Sequence, residues 1–287
     1  MFLVLISQIF CTSKIQSKYQ NVPLLKIPLL EDEYIIKEEP TKYTSETIVT
    51  KTIFKSVKNS ANTDGGAAYF ASDVKFNFGF HNCQFLECTS QKRGGGFFGC
   101  FSGARSISFE HCYFDSCSAQ SGGAIYTSAS SSNCECNVTY SKFISNKATS
   151  ATALTMQTTN PPTVNTNHGG GGALFIGMMK GQMSHCILER NSCTNGYGSN
   201  ILHGGRPTTG GRTYTYTNCT FKYSDQTSSS SFHHQYFSTS FTIIFVQCSF
   251  YNLFELSEKH HFNNADGWPA TLNFDSGDNC FYSAFSE

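Results

Sequence analysis

The chain of 287 residues is long enough for one large domain or two small ones, and its composition limits what it can be. Lys and Arg together number 20 and match the 20 Asp and Glu, so no net charge favours nucleic acid or an anionic membrane as a partner. Charged residues make up only 14%, whereas Phe (26), Tyr (14) and Gly (24) are prominent, which favours β-strands and tight turns over helices.

The first segment, residues 1–17 (MFLVLISQIFCTSKIQS), contains an apolar run from Phe2 to Phe10 that is too short to span a bilayer. An apolar run followed by small polar residues indicates a secretory signal peptide, and a buried first strand is the alternative. Removal of this peptide would take Cys11 away and leave twelve of the 13 cysteines, an even number that suits an oxidising compartment. We therefore expect a secreted or extracellular-surface protein with no membrane span in the mature chain.

The next segment, residues 18–46, differs from the rest because it combines Pro23, Pro28 and Pro40 with a cluster of acidic residues. It precedes a repeat region at residues 47–287. We expect it to be an N-terminal cap over the first repeat, because the end of a repeat array needs a polar cover.

A short motif with a cysteine, an aromatic residue and a second cysteine or Asn recurs through the repeat region, mostly at intervals of about 30 residues. Copies begin at Cys83, Cys112, Ser141, Cys186, Cys219, Cys248 and Cys280. Within and before the copies, apolar residues alternate with polar ones, which is the period of a strand with one buried face. The apolar residues that align between copies, and that we expect to form core columns, are Phe78, Phe80, Phe85, Ile107, Phe109, Phe114, Val138, Phe143, Met183, Leu188, Tyr214, Tyr216, Phe221, Ile243, Phe245 and Phe250.

Just before each copy the apolar spacing lengthens from two residues to three, which predicts a sharp bend that keeps the same side of the chain inward. Asn and His are common at this bend, and both tolerate the left-handed backbone conformation that a corner needs. The bend residues are Asn82, His111, Tyr140, His185, Asn218, Gln247 and Asn279.

A glycine pair followed by apolar residues is the second recurring element. It predicts a turn that allows close backbone approach, followed by a short strand. Its copies are GGAAYF (65–70), GGGFFG (94–99), SGGAIY (121–126) and GGGGALF (169–175).

Short strands whose inward columns repeat about every 30 residues define a solenoid, and the natural solution is an all-β parallel β-helix of about seven coils. A β-sandwich would not keep columns at a constant period, and the scarcity of Leu and of helical segments excludes a leucine-rich repeat. The polar stretch at 150–168 contains a Pro pair and is expected to be a loop insertion.

The repeats resemble those of the chlamydial polymorphic outer-membrane proteins and their relatives on trichomonad surfaces. Gly122-Gly123-Ala124-Ile125 and Gly171-Gly172-Ala173-Leu174 match the GGA(I/L) signature, and Phe143-Ile-Ser-Asn146 matches the FxxN signature. The resemblance covers roughly residues 60–200 well. It implies a single-stranded, right-handed parallel β-helix displayed at a surface and often linked to adhesion.

The cysteines pose the question of a redox or zinc site. Zinc and redox sites need ligands paired in one cluster, but these cysteines are spaced by four intervening residues and recur with the coil. Buried Cys usually behaves as a small hydrophobe, so we expect a structural ladder in which some members form disulfides. The ladder is predicted to contain Cys83, Cys88, Cys112, Cys117, Cys136, Cys186, Cys219, Cys248 and Cys280.

The other candidate groups favour no catalytic, cofactor or metal site. His111 and His185 share a column, but the Tyr140 coil lies between them, about 10 Å apart in total and too far to bind one ion directly. Two tripeptides, NVT at Asn137 and NCT at Asn218, are N-glycosylation acceptors and fit the secretory route.

We therefore expect a secreted interaction or adhesion module that binds a host-cell or extracellular protein or a glycan, without a cofactor. The first alternative is a carbohydrate-active lyase or hydrolase on the same scaffold, which would need clustered acids beside a base on one outer face. The second alternative is a purely structural member of an expanded repeat family. Fold alone does not decide between them.

Overall fold

The structure is a computed structural model that describes residues 34–60, 64–70, 76–101, 105–129, 133–149, 171–177, 179–194, 200–204, 212–222, 232–234, 241–251, 262–264, 270–274 and 280–282. The expected signal peptide, the first part of the expected cap and the expected insertion at 150–168 lie outside these residues.

All regular elements in these ranges are short β-strands. In chain order they are β1 (Ile35–Lys37), β2 (Thr41–Lys42), β3 (Thr47–Thr50), β4 (Thr52–Lys55), β5 (Lys58–Asn59), β6 (Ala68–Tyr69), β7 (Phe78–His81), β8 (Gln84–Leu86), β9 (Thr89–Ser90), β10 (Phe97–Phe101), β11 (Ser106–Glu110), β12 (Tyr113–Asp115), β13 (Ser118–Ala119), β14 (Ile125–Ala129), β15 (Glu135–Thr139), β16 (Lys142–Ile144), β17 (Lys147–Ala148), β18 (Leu174–Gly177), β19 (Lys180–Ser184), β20 (Ile187–Glu189), β21 (Ser192–Cys193), β22 (Ile201–Gly204), β23 (Arg212–Thr217), β24 (Thr220–Lys222), β25 (Phe232–His234), β26 (Phe241–Val246), β27 (Ser249–Tyr251), β28 (Phe262–Asn264), β29 (Ala270–Phe274) and β30 (Cys280–Tyr282).

The strands form four parallel sheets that the chain visits in a fixed order. Sheet A is β1-β4-β8-β12-β16-β20-β24-β27-β30, sheet B is β2-β6-β10-β14-β18-β22-β25-β28, sheet C is β3-β7-β11-β15-β19-β23-β26-β29, and sheet D is β5-β9-β13-β17-β21. From β3 to β22 each turn passes through C, A, D and B, so the chain is a parallel β-helix and the predicted fold class is confirmed. About five turns contain all four strands, fewer than the seven coils expected, because residues that follow sheet A in the later copies lie outside the described ranges.

The predicted corners are confirmed between sheets C and A. Asn82, His111, Tyr140, His185, Asn218 and Gln247 all have positive φ, between 49° and 54°; the seventh bend residue, Asn279, lies outside the described residues. A second left-handed corner, which the sequence pattern was not used to predict, follows β4, β8, β12, β16 and β20 of sheet A. Its residues are Ser56, Glu87, Ser116, Ser145 and Arg190, with φ between 51° and 55°.

The core lies between sheets A, B and C, and the aligned apolar columns point into it. In sheet C the buried apolar residues are Val49, Phe78, Phe80, Ile107, Phe109, Cys136, Val138, Met183, Tyr214, Tyr216, Ile243 and Phe245. In sheet A the buried column is Phe54, Phe85, Phe114, Phe143, Leu188, Phe221 and Phe250. The rings of this second column are almost parallel, as for Phe85 and Phe114, whose centroids are 4.5 Å apart at 5°.

Sheet A extends two strands further toward the amino terminus than the seven copies indicate. Phe54 in β4 begins the phenylalanine column, and Lys37 in β1 occupies the same column in the turn before it. The ammonium group of Lys37 lies 5.8 Å from the centre of the Phe54 ring. A cation over an aromatic face puts a polar group at the end of the apolar stack. Thus β1 and β2, which belong to the expected cap segment, continue sheets A and B.

Each glycine pair makes the turn that enters sheet B. Gly122 has φ 62°, a conformation that side-chain-bearing residues rarely adopt. After the turn, the residues that follow alternate between the core and the outer face of the sheet. The outward aromatic residues of successive turns, Phe98, Tyr126 and Phe175, stack on one another and form a second buried cluster.

Candidate functional site

Cys112 occupies a corner of the core, between Cys83 of the preceding turn and Ser141 of the following one. Its thiol donates to the backbone carbonyls of Phe80 (3.2 Å) and Glu110 (3.4 Å). Its backbone N–H donates to the Ser141 hydroxyl at 3.0 Å. Cys112 therefore connects its own turn to both neighbouring turns, as expected for a structural residue.

The same bonds recur along this corner, so the ladder has a function beyond filling space. Each member donates from its sulfur or oxygen to a carbonyl of sheet C in the preceding turn: Cys83 to Val49 (3.4 Å), Ser141 to Phe109 (3.5 Å), Cys186 to Val138 (3.6 Å), Cys219 to Met183 (3.4 Å) and Cys248 to Tyr216 (3.5 Å). Ser141 takes the place of Cys in this column because both residues are small donors.

A second ladder runs along the corner at the other end of sheet A. Its members donate to the carbonyl of the stacked core residue in the preceding turn: Cys88 to Phe54 (3.4 Å), Cys117 to Phe85 (3.4 Å), Asn146 to Phe114 (3.1 Å) and Asn191 to Phe143 (3.1 Å). The FxxC and FxxN forms of the motif are therefore equivalent, because a thiol and an amide make the same bond.

The environment of the Cys112 and Cys117 thiols opposes nucleophilic chemistry. Burial is the main cause that raises the pKa values of Cys112 and Cys117 well above the ordinary thiol value, and the neighbouring Cys83 and Cys88 raise them further. Both side chains are fully buried and are free thiols. Since the thiolate is the reactive form, these groups are inert donors.

Substitution of Cys112 tests this role. We expect Cys112→Ser to change the free energy of unfolding little, because Ser already occupies the column at position 141. Cys112→Ala removes the donor to the buried Phe80 carbonyl and should cost about 1–3 kcal/mol. Denaturant unfolding of both variants measures the difference; equal stability of the Ser and Ala variants would contradict the hydrogen-bonding role.

Two cysteines of the predicted ladder lie elsewhere. Cys136 is in register with Ile107 and Gly181 in sheet C, so it belongs to an apolar column. Cys280 is in register with Ser249, one position away from the column of Cys248, because Phe281 pairs with Phe250. The alignment of the last copy was therefore wrong by one residue.

A row of planar side chains lines the outside of the corner between sheets C and A. We call it the corner row: Asn82, His111, Tyr140, His185 and Asn218. The His111 and Tyr140 rings stack at 5.0 Å and 10°, and Tyr140 and His185 stack at 4.7 Å and 15°. The Asn218 amide nitrogen lies 3.3 Å from Nε2 of His185. Tyr140 therefore separates the two histidines, as the sequence predicts.

Charged side chains on the outer surface form pairs, either between adjacent turns or between consecutive residues. Glu110 lies 3.8 Å from Nδ1 of His81 and 3.9 Å from Nε2 of His111, and Lys180 lies 3.2 Å from Glu135. Within the described ranges, no group of three or more His, Cys, Asp or Glu side chains is placed to hold a metal ion.

The two glycosylation tripeptides lie on the same side of the molecule. Asn137 is on the outer face of sheet C, in register with Ser108 and Gln182 of the adjacent turns. Asn218 belongs to the corner row that borders this face. Both positions are partly exposed.

A buried histidine was missed by the sequence analysis. His203 in β22 is 1% exposed and its Nε2 lies within hydrogen-bonding distance of the Tyr216 hydroxyl in the core. Burial lowers the pKa of His203 to about 3. The available signal was that His203 lies two residues after the apolar Ile201, since side chains two residues apart on a strand share a face.

His203 makes the fold sensitive to acid. The histidine stays neutral in the folded state, whereas in the unfolded chain it takes up a proton below its ordinary pKa of about 6.5. Stability is therefore complete above about pH 6.5 and falls by about 1.4 kcal/mol per pH unit from this group as the pH drops toward 3. Denaturant unfolding between pH 7 and 4 measures the slope, and His203→Gln should flatten it; an unchanged slope in the variant would contradict the assignment.

The fold and these ladders define a class: an all-β parallel β-helix whose cysteine motifs are structural. Comparisons of the chain with known protein families, with curated proteins and with solved structures find no match. In the part of the chain that the structure describes, no helix is long and apolar enough to cross a membrane.

Proposed function

We propose that the chain is a secreted or surface-associated interaction module with repeats of the polymorphic outer-membrane protein type. It binds an extracellular or host-cell protein or glycan through its outer surface. The observation that carries this proposal is that the recurring motif residues are engaged in packing and in bonds between turns. Binding is then left to the side chains on the outside of the solenoid.

On sheet C, the placement of Glu110 and Glu135 favours binding over glycoside or polysaccharide cleavage. Glu110 ends β11 and Glu135 begins the adjacent strand β15, so they are offset by four residues along neighbouring strands. At about 3.3 Å per residue this offset is roughly 13 Å. Glycosidases place their two carboxyl groups about 5–9.5 Å apart. Moreover, Glu135 is paired with Lys180, which keeps its carboxylate occupied.

N-glycosylation at Asn137 and Asn218 belongs to the same proposal. A glycan on the Asn137 amide would project from the outer face of sheet C, because Val138 beside it points into the core. Mass spectrometry of the protein secreted from eukaryotic cells, before and after removal of N-glycans, tests this modification.

A binding screen tests the function. The purified secreted protein is applied to a glycan array and to cultured cells, and is incubated with acidic and neutral polysaccharides in a cleavage assay. We expect saturable binding that is lost when the protein is unfolded, and no cleavage product. Catalytic turnover of a polysaccharide would support the enzyme alternative. Absence of both binding and turnover would support a purely structural protein.

A further inference from the structure

The corner row is an exposed stack whose chemistry is repeated once per turn. The Asn82, His111, Tyr140 and His185 side chains are exposed, and Tyr140 is 41% exposed although it is a large aromatic residue. Their left-handed backbone conformation directs each side chain away from the core at the same point of the turn. The row therefore presents a line of polar groups parallel to the axis of the β-helix.

The stacking decides which parts of the rings a ligand can reach. Because the His111, Tyr140 and His185 rings are almost parallel and contact one another face to face, their faces are covered and their edges point outward. The edges carry a hydroxyl group and ring nitrogens, and the amide of Asn82 lies at one end of the row. Such groups both donate and accept hydrogen bonds. Asn218, at the other end, is the proposed attachment site of an N-glycan.

The column next to the corner row adds hydroxyl groups. The last outward residue of each sheet C strand stands beside the row, and in three successive turns this residue is Thr139, Ser184 and Thr217. One turn earlier it is Glu110, whose carboxylate lies near His81 and His111. Hydroxyl, amide and imidazole groups thus recur at the spacing of the turns, about 4.8 Å.

We propose that the corner row and this column form a binding strip for an uncharged, linear glycan lying along the axis of the β-helix. This inference rests on the proposed interaction function and names its ligand class. The sugar units of an extended glycan advance by roughly the spacing of the turns, so successive units meet equivalent hydrogen-bonding groups. Glu110 lies beside His81 and His111 in the middle of the strip and disfavours an acidic glycan there.

The test uses the full-length secreted protein on an array of neutral and acidic linear glycans, with and without removal of its own N-glycans. Tyr140→Ala removes the centre of the stack and both ring contacts of the histidines. We expect it to weaken binding of neutral glycans by about tenfold or more, since loss of one good polar contact corresponds to roughly that factor. Tyr140→Phe keeps the stack, removes the hydroxyl and should weaken binding by a smaller factor.

Ser145→Ala is the matched control. Ser145 occupies the second left-handed corner of the same turn as Tyr140, so both alanine variants place Ala at positive φ. The control should bind as the unchanged protein does, and thermal unfolding of each variant checks that it is folded.

The possible outcomes distinguish failure of the binding-strip proposal from failure of the proposed interaction function. Cell or glycan binding that persists in Tyr140→Ala and Tyr140→Phe would overturn the strip and leave the interaction function standing. Binding only to acidic glycans or to protein would overturn the ligand class. Failure of the unchanged protein to bind any array or cell would overturn the proposed function and the strip with it.

Discussion

Gly123→Ala is expected to prevent stable folding of the β-helix. A Cβ atom at this position would lie 2.1 Å from the carbonyl oxygen of Gly172 and 2.7 Å from backbone atoms of Lys147. Both contacts are backbone atoms of the following turn, so relief would require two packed turns to separate. Overpacking typically costs about 1–3 kcal/mol and occasionally more. Because the neighbours here are rigid backbone, we expect a cost at the upper end, a large part of the roughly 5–15 kcal/mol that holds a typical domain folded. Circular dichroism and denaturant unfolding measure the loss.

Gly79→Ala is the matched control for this prediction. Gly79 lies on the outer face of sheet C, and its added Cβ would meet side-chain atoms, Ser108 Oγ at 2.7 Å and His81 Nε2 at 3.2 Å. These exposed ends can rotate away, so we expect a change within about 1 kcal/mol. If both variants lost the same stability, close approach of backbones at the glycine pair would not be the reason for its recurrence.

The fold was predictable because the same apolar alternation and the same residue spacing recur in successive turns. Alternation identified the columns of sheet C, and the three-residue apolar step located the corner at His111 and its equivalents. The same step also separates Phe85 from Cys88, so the second corner at Glu87 was present in the pattern. It was missed because Ser, Glu and Arg at that corner lack the preference for left-handed conformation that made Asn and His noticeable.

The role of the cysteines was only partly predictable. Sequence spacing distinguishes a ladder from a zinc cluster, but it does not show that a thiol donates to a carbonyl of the preceding turn. The next copy has Asn146 where this one has Cys117, and this replacement indicated the hydrogen-bonding role. An amide and a thiol differ in polarity, but each can donate a hydrogen bond. A column that accepts both is defined by hydrogen bonding more than by apolar burial.

The candidate binding strip could not be predicted from any single segment, because it depends on the register between stacked turns. His111 and His185 are separated by a long insertion, yet both contact Tyr140 because the turns stack in register. The burial of His203 depended on the same register, which sets its ring against Tyr216 of the next turn. Contacts between turns depend on the register of the whole solenoid. The local sequence pattern therefore predicts which residues share a column, but not which side chains contact one another.

Phe109→Ala should produce the largest loss of stability among substitutions in the core columns. The Phe109 side chain is completely buried, and its ring stacks on Phe80 at 5.5 Å and 8°. It also meets Phe97 edge to face at 5.4 Å and Phe114 at 5.8 Å, so it joins sheets C, B and A. Truncation removes apolar transfer energy and leaves a cavity, which together cost about 3–5 kcal/mol.

The neighbours of Phe109 are themselves stacked rings on strands held in three sheets, so the cavity cannot collapse without breaking registers above and below it. Phe109→Leu fills most of the space and should cost clearly less than the alanine variant. Ser108→Ala, one residue away on the outer face of the same strand, should stay within about 0.5 kcal/mol. Denaturant unfolding of the three variants gives the order Ala, Leu, then the Ser108 control. A loss for Phe109→Ala as small as that of the control would mean that the column does not carry the stability of the β-helix.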